Sequence, residues 1–133
     1  MIALQSALQV HLEGGTALAA YLGAGSASIY YRQAPDGAVE PYVVWLISSE
    51  NDTNMTPRRE TPFVVDIKGV ADDGYVAAQV DDAIRVRMAT EFDVTGFDTI
   101  HQWRTVGFEA SEVVNGKSYW HDGGRYSIEL HAV

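Results

Sequence analysis

Residues 41–48, Pro-Tyr-Val-Val-Trp-Leu-Ile-Ser, limit most strongly what this chain can fold into. A nearly unbroken apolar run of β-branched and aromatic residues predicts a strand covered on both faces, and Pro41 suits only its first position. Ahead of it lie a Gly/Ala loop at 23–28, a short β-rich run from Ile29 to Arg32 and a Pro/Asp/Gly loop. Gly23-Ala-Gly25 resembles the opening of a dinucleotide loop, but here it precedes a strand, whereas that motif follows one and opens a helix. A flexible turn leading into a sheet is the better reading.

The remaining pattern supplies the partners of that sheet. Leu4, Ala7, Leu8 and Leu12 recur at helical spacing, predicting an amphipathic helix over Ile2 to Glu13 that stops at Gly14-Gly15. Thr16 is placed to cap a short helical piece, Ala17 to Leu22. A polar stretch from Ser49 to Pro57 reads as a hairpin loop leading to a strand at Glu60 to Val70, where Phe63, Val65 and Ile67 share a face. Asp72-Asp73 then starts a helix whose stripe is Val76, Val80, Ala83, Ile84 and Met88, with Asp81 and Arg85 expected on its outer side. After an ambiguous stretch from Glu91 to Ile100, two strands flank Asn115-Gly116, the pair suited to a type I′ turn. The last strand alternates Tyr126, Ile128, Leu130 and Ala132 against Arg125, Ser127, Glu129 and His131, after a bulge or bend at Gly123-Gly124. Short loops between successive strands favour an α+β fold: an antiparallel β-sheet with two main helices packed on one face.

With 133 residues and no internal repeat or linker, the chain is expected to form a single domain over residues 1–133. A net charge of −9 disfavours general attraction to nucleic acid or anionic lipid. Cysteine is absent, so there are no disulfides or thiolate metal ligands. No signal peptide or membrane-spanning run is expected from the sequence. The sequons at Asn51 and Asn54 therefore read as polar loop residues.

Few residues point to chemistry, and no catalytic, cofactor or metal site is expected. None of His11, His101, His121 and His131 sits in a ligand pattern. His121 and Asp122 are adjacent on a strand, so their side chains face opposite ways. Helix capping accounts for Asp72-Asp73 and a solvated helix face for Asp81-Asp82, and no calcium-loop spacing is present. Arg58-Arg59 is the only adjacent basic pair and reads as the base of the polar loop. Trp45, Trp103 and Trp120, spread over separate strands, read as core plus subunit interface.

Taken in order, these segments resemble the tail terminator, or tail completion, proteins of long-tailed bacteriophages, minor tail proteins of the DUF3168 type. The resemblance rests on the N-terminal helix running to Ala17-Leu-Ala-Ala-Tyr21-Leu22-Gly23, the Ile29-Tyr30 strand and the Glu40-Pro41-Tyr42-Val43-Val44 strand start. It continues through the polar loop at Asn51 to Pro57, the Phe63 to Ile67 strand, the Ala71 to Met88 helix and the Gly124 to Ile128 strand. It implies a non-enzymatic virion protein, assembled in the host cytoplasm, that forms a hexameric ring on the head-proximal end of the tail. There it would stop the major tail tube protein from polymerising and meet the head-tail connector or head completion protein. DNA would pass through the channel without specific binding. Sequences in that family vary greatly, so no catalytic or cofactor residue transfers.

Contact positions are expected in the polar loop, at Asn51, Asp52, Thr53, Asn54, Met55, Arg58 and Arg59, and on the final hairpin, at Asn115 and Trp120. That hairpin is longer than the strand order requires and reads as a contact arm. The alternative is a small non-catalytic α+β domain for ligand binding or dimerisation.

Overall fold

The computed structural model describes residues 2–50 and 60–132. Seven of the expected contact positions, Asn51, Asp52, Thr53, Asn54, Met55, Arg58 and Arg59, lie outside them. The chain runs α1 (Ile2–Glu13), α2 (Thr16–Ala19), a 3-10 turn (Gly25–Ser28), β1 (Ile29–Tyr31), β2 (Tyr42–Glu50), β3 (Glu60–Ala71), α3 (Gly74–Met88), β4 (Phe97–Val114) and β5 (Lys117–Ala132). The fold is α+β, a five-stranded sheet in the order β1-β2-β3-β5-β4 with the main helices α1 and α3 on one face.

The sheet is antiparallel except at β1, which pairs parallel with β2 through Ile29–Val43 and Tyr31–Trp45. The ten-residue connection 32–41 carries the chain back to the end it started from, so β2 runs beside β1 in the same direction. Two further expectations are corrected. Thr16 does not cap α2: Gly15 holds that position and no side chain caps it. Gly123 and Gly124 lie within β5, while the register shift falls across from them in β4, between Arg104 and Val106.

The core lies between the helices and the inner face of the sheet. Leu4, Leu8 and Leu12 of α1 and Val80, Ile84 and Met88 of α3 meet Val43, Trp45, Phe63, Val65, Ile67, Tyr126, Ile128 and Leu130. Trp45 is fully buried, stacks on Tyr31 and donates its indole N–H to Gln9 Oε1 at 2.6 Å, fixing α1 over the sheet. β2 is covered less evenly than its composition predicts. The helices close one face, and on the other Val44 is buried while Leu46 is only half-buried.

Polar side chains close the helix ends. Asp73 caps α3 by accepting the Tyr75 N–H at 2.8 Å, as the Asp72-Asp73 pair predicts. At the other end of α3, Gln102 of β4 donates to the Met88 and Thr90 carbonyls. Arg87 Nε donates to the His11 carbonyl at 2.7 Å, joining the end of α3 to the end of α1.

Candidate assembly surface

Asn115 and Gly116 adopt positive φ of 52° and 79°, so the type I′ turn forms and sets the register of the whole β4–β5 hairpin. β3 pairs with β5 from His131 only as far as Trp120, leaving Lys117 to Tyr119 and their β4 partners as a two-stranded arm beyond the main sheet. β4 is a sheet edge, and nearly every residue from Trp103 to Val114 is exposed or half-exposed. Val113 and Val114 stand open near the tip, and Trp103 and Val106 further back. Such an edge, with apolar side chains and a free backbone ladder, is a natural place for another chain to add.

Asn115 therefore sits at the tip of the arm. Trp120 sits at its root, 43% exposed, with one side of its ring over Gly74 at the start of α3. Of the tryptophans read as core plus interface, Trp45 is core, and Trp103 and Trp120 are half open to solvent. Lys117 pairs with Glu40 at 3.3 Å, which ties the arm to the 32–41 connection.

His121 and Asp122 face opposite ways, as their adjacency on a strand dictates. His121 Nε2 meets Glu112 Oε1 at 2.9 Å on the outer face, which also carries the Arg125–Asp66 pair. Asp122 faces inward, toward α3. Burial first, then the charges of Asp81 and Glu109, push its carboxyl up to about 6.

Asp81 overturns the expectation of a solvated helix face. It is 5% exposed and bound by Arg104 through both guanidinium ends, at 2.9 and 3.1 Å. Arg104 also donates to the Gly123 carbonyl at 3.0 Å. The guanidinium lies flat over glycines: a Cβ at Gly124 would fall 2.6 Å from its Cζ, and one at Gly107 2.6 Å from its Nη2. Sequence reasoning missed this network because Arg104 falls in a run of mixed polarity. The glycines opposite it are the trace that it leaves.

His11 is buried, stacked on Phe92 and donates from Nε2 to the Arg87 carbonyl at 2.9 Å. Burial lowers its pKa, and that hydrogen bond works in the other direction. It is packed as a core residue that joins α1 to α3. Among the described residues, no group of three or more His, Asp or Glu is arranged to hold a metal ion, and no helix is long and apolar enough to cross a membrane.

These features define a class: an α+β sheet with helices on one face and a long, bare edge hairpin. Within it the fold is similar to that of a chain from a solved structure described as the virion of a native gene transfer agent particle. The TM-score is 0.70 with 14% identity, over 97% of this chain and 95% of that one. A second solved structure, of a protein with no functional name, matches at a TM-score of 0.57 and 10% identity, over 95% and 93% of the two chains. At these identities the likeness is one of fold. No protein-family model and no curated protein matches the sequence.

Proposed function

We propose that this chain is a structural tail terminator of a phage or phage-like particle. In this reading residues 1–133 act as one tail-terminator-like domain, and six copies close into a ring on the head-proximal end of the tail tube. The observation that carries it is the near full-length likeness in fold to a chain of a gene transfer agent virion. The order of sequence segments points the same way independently.

Physically, a ring requires two different surfaces on each subunit that meet head to tail. The bare β4 edge with the arm tip at Asn115 supplies one such surface. The polar loop at Asn51 to Arg59 is proposed as the other. One face of the ring copies the subunit contacts of the tube, and the other meets the connector, so growth stops without any chemical step. A chain of net charge −9 gives the ring an acidic character that lets DNA pass without adhering. The role is non-enzymatic and needs no cofactor.

Deleting the gene from its particle-forming cluster tests this reading. Tails that are overlong and unattached to heads are expected. Tails of normal length joined to heads would overturn it.

A further inference from the structure

The β4–β5 arm meets α3 through a contact that is short of positive charge. The register sets Glu109 directly opposite Asp122, on the face turned toward the helix, where like charges repel. α3 adds Asp81, Asp82 and Arg85 to the same cleft of about 570 Å³, and β4 adds Arg104. β3 brings only Gly69 opposite Asp122, and His121 points to the other face with Glu112. Four carboxyl groups therefore meet two guanidinium groups.

Arg104 is already engaged by both oxygens of Asp81 and by the Gly123 carbonyl. What remains to Asp122 is a hydrogen bond with the Asp81 carboxyl itself. Two carboxyl groups form such a bond only when one of them carries a proton.

We propose that one proton held between Asp122 and Asp81 latches the arm to α3, and that its loss releases the distal half of the arm from the helix. The latch is independent of the tail reading. Burial and the carboxylates around it place the release of Asp122 near pH 6, with Arg104 opposing only in part. Once ionised, Asp122 faces Asp81 and Glu109 across a partly dry cleft, and separating the two elements relieves the repulsion. Trp120 reports the change, since its ring rests where a Cβ at Gly74 would come within 3.4 Å.

The test uses the full chain labelled with fluorotryptophan and followed by fluorine NMR, with the Trp120 resonance assigned by Trp120→Phe. The expected result is a single step at Trp120 centred near pH 6. It should persist in His121→Gln, move to lower pH in Glu109→Gln and vanish in Asp122→Asn. A flat Trp120 resonance, a step that survives Asp122→Asn or a step lost with His121→Gln would overturn the latch. Should Asp122→Asn fail to fold, an unchanged midpoint in Glu109→Gln would overturn it equally.

Discussion

Arg104 of β4 grips Asp81 of α3 with two hydrogen bonds, at 2.9 and 3.1 Å, and this pair joins the edge of the sheet to the helix that covers it. Asp81 is almost fully buried and Arg104 only slightly exposed, so removing one partner strands a charge. Asp81→Ala is expected to destabilise the fold by about 2–4 kcal/mol, as for other broken buried pairs. Urea titration checks this, and a cycle with Arg104→Ala should show clear coupling. Additive effects would mean that the pair contributes only packing.

The glycines beneath Arg104 make a second prediction. Gly124→Ala puts a methyl group where the guanidinium lies, so Arg104 must leave Asp81. A loss of about 1–3 kcal/mol is expected, typical of overpacking. In an Arg104→Ala background the same change should cost much less. An equal cost in both backgrounds would contradict the cradle.

Asp122 links stability to pH. Its carboxyl rises from the usual 3.8 to about 6 in the fold, so the folded state favours the protonated form. The stability it contributes is therefore complete below about pH 4 and is lost as pH rises through 6. Asp122→Asn should stabilise the protein at pH 8 by about 1 kcal/mol, a figure reduced for the group's partial exposure, and change little at pH 4. Denaturation curves at both values decide it.

His11 has the opposite sign. Its folded pKa lies below the unfolded value of 6.5, chiefly through burial, so its contribution is present above 6.5 and is lost as pH falls. His11→Gln keeps a donor for the Arg87 carbonyl. The wild type should lose more melting temperature than this variant between pH 7 and pH 5. Parallel losses would show that His11 does not titrate in the fold.

Much of this architecture is legible in the sequence, because each element carries its own period. The stripe Leu4, Leu8, Leu12 and the alternation Tyr126, Ile128, Leu130 mark buried faces, and both are core. Asn115-Gly116 goes further: counting outward from a two-residue turn is enough to pair Glu109 with Asp122. The count fails beyond Val106, where the register shift sets Arg104 opposite Tyr126, and there the Asp81 contact disappears from view. An i to i+4 acid-base spacing assigned Asp81 to Arg85, whereas the tertiary partner is Arg104, which no local pattern names. The parallel pairing of β1 was hidden for a similar reason, since three residues carry no sense of direction.

The central claim is that this chain caps a tail tube through its subunit surfaces. Adding the purified protein to its cognate tail tube protein during polymerisation, and measuring tube lengths by electron microscopy, tests that claim most directly. Shorter tubes bearing a ring of this protein at one end are the predicted result, and an unchanged length distribution with bare ends would contradict it.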